Sequence, residues 1–92
     1  MEEYTYPMEE DWTVEEICTV IDFYTCIEDA YEGGIQKRDL MDAYREFKKI
    51  VDSKSLERKI SDEFQEASGY SIYLTMKKCQ EAKVDSSLIK MK

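Results

Sequence analysis

The chain reads as all-α: a single four-helix, bundle-like domain with a central first helix and an extended N-terminal arm. Three observations predict this. Apolar residues recur at helical spacing in four successive segments. Cap-forming Thr, Ser and Gly residues punctuate the boundaries between those segments. Ninety-two residues are enough for one modest core without disulfides or a structural metal. The helices are expected at about 13–32, 36–51, 55–68 and 71–82. Residues 1–82 then form the domain, and 83–92 a loosely ordered tail.

The first helix has the clearest start. In "DWTVEEI", Thr13 reads as an N-cap and Glu16 completes a capping box. Trp12 and Ile17 stand at the spacing of a hydrophobic staple. Glu15 and Glu16 put negative charge at the positive end of the helix dipole. Val14, Ile17, Cys18, Val20, Ile21, Phe23, Tyr24, Ile27, Ala30 and Tyr31 make a stripe too wide for a surface helix, which places this helix at the centre. Gly33-Gly34 supplies the left-handed geometry that ends it.

The second helix starts at a weaker cap, Gln36, with Ile35 and Leu40 at staple spacing. Leu40, Ala43, Tyr44, Phe47, Ile50 and Val51 form its apolar face. "DSKS" is a short turn in which Ser53 or Ser55 can cap the third helix. Leu56, Ile60, Phe64 and Ala67 line that helix within about 80° of one another. If the helix ran on, Ile72, Met76 and Cys79 would fall on the opposite side. The stripe therefore flips across Ser68-Gly69, which reads as a corner with Gly69 after the C-cap. A Schellman ending there would fold Tyr70 back toward Phe64. Ser71 would cap a fourth helix. The alternatives are one long helix buried on both sides, or an anion site in "SGYS". The latter lacks the longer Gly-rich spacing and Lys of a phosphate loop. Before the first helix, Pro7 biases Tyr6 toward extended backbone, so "YTYPM" forms an arm lying across the bundle.

Composition bounds the function. No apolar run approaches the roughly 20 residues of a membrane span. The acidic start lacks the features of a secretory signal, so a cytoplasmic protein is expected. Three cysteines with no export signal read as reduced, half-buried hydrophobes. Cys18 and Cys26 are about 12 Å apart along one helix and cannot bond to each other. The net charge is −8, and 11 acids and no bases fall in residues 1–36, against 10 acids and all 13 bases in 37–92. Either the acidic first helix lies beside basic stretches of the later ones, or it offers an acidic face to a basic partner. Nucleic-acid binding is disfavoured by this charge and by the shortness of the one basic cluster, "KSLERK".

The chain has no histidine, which removes the commonest general base and nitrogen ligand. No paired cysteine spacing suggests zinc, and no cofactor is expected. One constellation could hold Mg²⁺. Glu28-Asp29-x-x-Glu32 and Asp62-Glu63-x-x-Glu66 place acids one turn apart on two helices, so Glu28, Glu32, Glu63 and Glu66 are candidate ligands. With 21 acids in 92 residues, two such patterns are close to what chance supplies, and solvated acidic faces are the ordinary reading.

"YTYPMEEDWTVEEI", "FYTCIEDAYEGGI", "DLMDAYREFKKIV" and "EFQEASGYSIY", in this order, resemble the uncharacterised protein family UPF0223, over roughly residues 3–82. The family comprises small proteins of bacilli and related Gram-positive bacteria. The resemblance implies an all-helical bundle and a cytoplasmic bacterial protein. It implies no reaction, so no catalytic residue is carried over.

The expected function is a small non-catalytic protein-interaction or regulatory module. Its partner would be a protein contacted through Tyr4, Tyr6, Glu9, Glu10 and Asp11 of the acidic, aromatic arm. Neither nucleic acid nor membrane is an expected partner, and a homodimer fits either reading of function. The alternative is a Mg²⁺-dependent enzyme acting on a small phosphorylated compound through the four glutamates.

Overall fold

Thr13 starts the first helix as its sequence requires. Its hydroxyl accepts from the Glu16 N–H at 3.1 Å, while the Thr13 N–H donates to the Glu16 carboxylate at 2.8 Å. This reciprocal pair satisfies two amides at the helix entry. The computed structural model describes residues 5–84 and 86–91. In chain order they form α1 (Val14–Glu32), β1 (Ile35–Gln36), α2 (Lys37–Ile50), α3 (Lys54–Ser68), α4 (Ile72–Glu81) and β2 (Leu88–Ile89). The fold is all-α and bundle-like, with one two-stranded antiparallel clip.

α1 ends where the N–H groups of Gly33 and Gly34 both donate to the Asp29 carbonyl, at 2.9 and 2.6 Å. Only Gly34 takes a positive φ, of 112°; Gly33 is extended. A Cβ on Gly34 would also lie 3.0 Å from Leu88 Cγ, so this glycine serves both the turn and a close approach of the tail. The short connection makes α1 and α2 an antiparallel helical hairpin, the most extensive helix contact in the fold.

Two adjacent residues of α1 organise the core. Phe23 stacks on Phe47 of α2 with ring centroids 4.4 Å apart, and Tyr24 stacks on Phe64 of α3 at 4.9 Å. Successive helical residues point about 100° apart, so the pair addresses two different helices. α1 is central in this sense, but its apolar stripe is narrower than the sequence suggests. Val14 is 76% exposed and Cys18 is exposed, whereas Val20, Phe23, Tyr24, Ile27 and Ala30 are fully buried. At 1.5 Å per residue, α1 outreaches α2 by about 7 Å, which leaves its first turn without a neighbour on that side.

Ser53, not Ser55, caps α3, accepting from the Leu56 N–H. Ile60 and Phe64 are buried as the stripe predicts, while Ala67 is exposed. The chain turns at Gly69, whose φ of 81° is left-handed and whose N–H donates to the Gln65 carbonyl at 2.8 Å. This is the simpler αL ending rather than a Schellman motif. Tyr70 accordingly does not return to Phe64. Its ring stacks on Tyr31 of α1 at 4.4 Å and 8°. Ser71 then caps α4, accepting from the Leu74 N–H at 3.0 Å. Ile72, Thr75, Met76 and Cys79 form its buried side, so the apolar stripe does change face at the corner.

The tail departs from expectation. Among its described residues, Leu88–Ile89 pairs with Ile35–Gln36, with Ile35 opposite Ile89 and Gln36 opposite Leu88. The Ile89 side chain is 1% exposed. The Lys37 N–H donates to the Ser87 carbonyl at 2.8 Å, and the Met91 N–H to the Ala30 carbonyl at 2.8 Å. Gln36 makes no side-chain cap, and the tail supplies the acceptor that α2 would otherwise lack at its start. Lys37 Nζ also donates to the Ala82 carbonyl, so α2 and the end of α4 are tied directly. The strand pairing joins residues more than fifty positions apart and has no local periodicity by which to be read. No helix among the described residues is long and apolar enough to cross a membrane.

The buried end predicts that Ile89→Ala destabilises the protein by about 2–5 kcal/mol in urea unfolding, whereas a loose tail would give a change near zero. Gly34→Ala should cost about 1–3 kcal/mol, from its positive φ and the Leu88 contact. Gly33→Ala, extended and with open space around its Cβ, should stay within about 0.5 kcal/mol of the parent.

Candidate functional site

The arm is bound to the core by its aromatic residues. The buried Tyr24 hydroxyl donates to the Pro7 carbonyl at 2.8 Å. The ring of Tyr6 lies 5.2 Å from Tyr24 and 6.2 Å from Phe64, and its hydroxyl donates to Glu28 at 2.8 Å. Glu9 forms an ion pair with Lys59 of α3 at 3.6 Å. Of the five arm residues expected to meet a partner, Tyr6 and Glu9 therefore hold the arm to its own domain. Glu10 and Asp11 are exposed, and Tyr4 lies outside the described residues. Glu9–Lys59 is also the one ion pair among the described residues that joins the acidic first third to a later base.

The four candidate metal ligands are not assembled into one site. Glu28 accepts the Tyr6 hydroxyl, and Glu32 accepts the Tyr70 hydroxyl at 2.9 Å. Glu63 and Glu66 are exposed on α3, Glu63 close enough to Tyr24 to act on its phenol electrostatically. Among the described residues no group of three or more acids or thiols is placed to hold a metal ion. At the Ser-Gly corner, the Ser71 N–H donates to the Tyr31 hydroxyl at 3.1 Å and the Leu74 N–H to Ser71 Oγ. Two of the donors an anion would need are thus engaged within the fold.

Carboxylates facing tyrosine hydroxyls recur. Glu57 accepts from Tyr44 at 2.9 Å and pairs with Lys48 at 2.6 Å. Burial, reinforced by Glu28, pushes the Tyr6 phenol up to about 12. Burial and Glu57 likewise push Tyr44 up to about 12. The Tyr24 phenol is raised chiefly by burial, and Tyr70 chiefly by its bond to Glu32. Burial, with Asp29, Asp22 and Asp39 adding to it, lifts the Cys26 thiol to about 11, away from nucleophilic chemistry at neutral pH. Burial also raises Cys79, against an opposing effect of Lys37.

A concavity lies elsewhere, between α3 and α4. It is an open groove of about 790 Å³, floored toward Tyr44 and Met76. Tyr73 and Leu74 of α4 stand on it, 67% and 50% exposed. Lys54 and Arg58 of α3 and Lys77 of α4 supply its cations. The sequence marks Lys54 and Arg58 only as part of a short basic cluster and gives Tyr73 and Lys77 no role. The available signal was phase: Tyr73 and Leu74 fall off the stripe of Ile72, Met76 and Cys79, so burying that stripe turns both outward.

Raised phenols predict alkaline sensitivity. An unfolded tyrosine ionises near pH 10, whereas Tyr6 and Tyr44 in the fold keep their protons to about 12. Between those values the unfolded chain binds fewer protons, so stability falls as pH rises. Their contribution is fully present below pH 10 and lost as pH climbs through 12. Urea midpoints measured across this window should decline, and Tyr6→Phe combined with Tyr44→Phe should flatten the decline.

A UPF0223 protein of Bacillus cytotoxicus is 53% identical over 89 residues, spanning 97% of this chain and 99% of the relative. The UPF0223 protein YktA of Bacillus subtilis is 49% identical over 89 residues, with the same coverage of both chains. A relative from Oceanobacillus iheyensis is 50% identical over 78 residues, covering 85% of this chain and 89% of its own. The model of the uncharacterised protein family UPF0223 matches residues 3–87. The chain belongs to that family.

Proposed function

We propose that the protein is a small non-catalytic protein-interaction module, and that its contact surface is the α3–α4 groove rather than the acidic arm. One observation carries this reading: two large apolar side chains, Tyr73 and Leu74, stand exposed together on a groove whose remaining lining is mostly charged and polar, with Tyr44, Ile72 and Met76 beneath. Solvent-facing aromatic and aliphatic residues rimmed by charge suit a protein partner. The arm suits this role less, because Tyr6, Pro7 and Glu9 are committed to the domain itself. A cytoplasmic setting accords with three free thiols at Cys18, Cys26 and Cys79.

The test is co-purification at native expression level with three proteins. A partner retained by the parent should be lost with Leu74→Glu, weakened at least about tenfold. It should be kept when Glu10 and Asp11 are both changed to Lys. The opposite pattern would transfer the contact to the arm. A Mg²⁺-dependent rise in melting temperature that Glu63→Gln removed would instead revive phosphate chemistry.

A further inference from the structure

The groove also has a charge of its own. Lys54, Arg58 and Lys77 have no ion-pair partner among the described residues. Glu57, one of the two acids in the lining, is already neutralised by Lys48 and held by Tyr44. Asp62 is the one unpaired carboxylate in the lining, against three unpaired cations. The groove is thus a positive island on a protein of net charge −8.

We propose that this groove binds an acidic amphipathic helix of about three turns from another protein, an inference that rests on the groove being the contact surface. Charge complementarity sets the sign: a partner presenting acids to Lys54, Arg58 and Lys77 gains what the rest of this acidic surface would deny it. Shape sets the length. Lys54, Arg58, Asp62 and Gln65 recur along one face of α3 over twelve residues, about 16 Å of helix. The apolar requirement comes from Tyr73 and Leu74, which call for Leu- or Phe-type side chains one turn apart on the incoming face. A helix is favoured over a strand because the lining comes from α2, α3, α4 and the corner, and no strand edge borders it. A contact of this size falls in the transient class, with a dissociation constant on the order of tens of micromolar.

Two synthetic twelve-residue peptides test this, with identical Leu and Phe spacing and either Glu or Lys at every flanking position. Each is titrated into the full-length ¹⁵N-labelled protein at low salt, and backbone amide shifts are followed by NMR. The Glu peptide should move the amides of Arg58, Tyr73, Leu74 and Lys77 and bind several-fold more weakly at 300 mM salt. Changing Arg58 and Lys77 together to Glu should weaken it at least tenfold, with an unchanged melting temperature showing that these exposed changes leave the fold intact. Preference of the groove for the Lys peptide would overturn the acidic partner while leaving the groove as contact surface. Absence of shifts with both peptides would overturn the helix proposal, and the Leu74→Glu co-purification would decide separately on the groove. Concentration-dependent dimerisation abolished by Leu74→Glu would also overturn it, since the occupant would then be a second copy of this chain.

Discussion

Tyr24 is the residue on which the fold turns. Its ring is sandwiched toward Phe64 of α3 and Tyr6 of the arm, and its neighbour Phe23 meets Phe47 of α2. Its hydroxyl is fully buried and would cost about 1–3 kcal/mol if left without a partner. The Pro7 carbonyl meets that need. Proline suits the position because its own missing N–H leaves one fewer donor to satisfy where the chain enters the core. A single polar atom at the centre of the bundle thus requires the arm to lie across it, and the arm is part of the domain for that reason.

The same economy governs the acids. A chain with 11 carboxylates and no bases in its first 36 residues has to bring some of them near apolar surface. Tyrosine resolves the conflict by giving its ring to the core and its hydroxyl to a carboxylate, as Tyr6 does with Glu28 and Tyr70 with Glu32. Neutral donors thereby do work that cations could have done. The cations of the later helices are left for other uses. Three of them gather beside Tyr73 and Leu74, so unpaired positive charge and exposed apolar side chains meet in one groove.

Local signals carried most of the helical layout. The Thr13–Glu16 box, the Ser71 cap and the reversal of the apolar stripe across Gly69 involve residues within one or two turns of each other. Other features needed the partner to be present. Val14 looks like core by spacing and is exposed because α2 stops short of it. Tyr70 was expected beside Phe64, its neighbour in sequence, and instead found Tyr31, 39 positions away, whose flat ring it matches. The glutamates spaced like metal ligands have the right period on each helix, but period says nothing about which helix faces them.

By itself, the sequence determined the helices, the Thr13 and Ser71 caps and the family, and favoured the corner at Gly69, because each of these is written in contacts along one short stretch or in the order of such stretches. Tertiary structure alone decided that the tail closes the domain as a strand against Ile35–Gln36, that Tyr6 of the arm gives its hydroxyl to Glu28, and that Lys54, Arg58 and Lys77 converge between α3 and α4. Those outcomes depend on the packing of segments far apart in the chain. A helical period specifies which residues share a face, whereas only the assembled bundle specifies what that face meets.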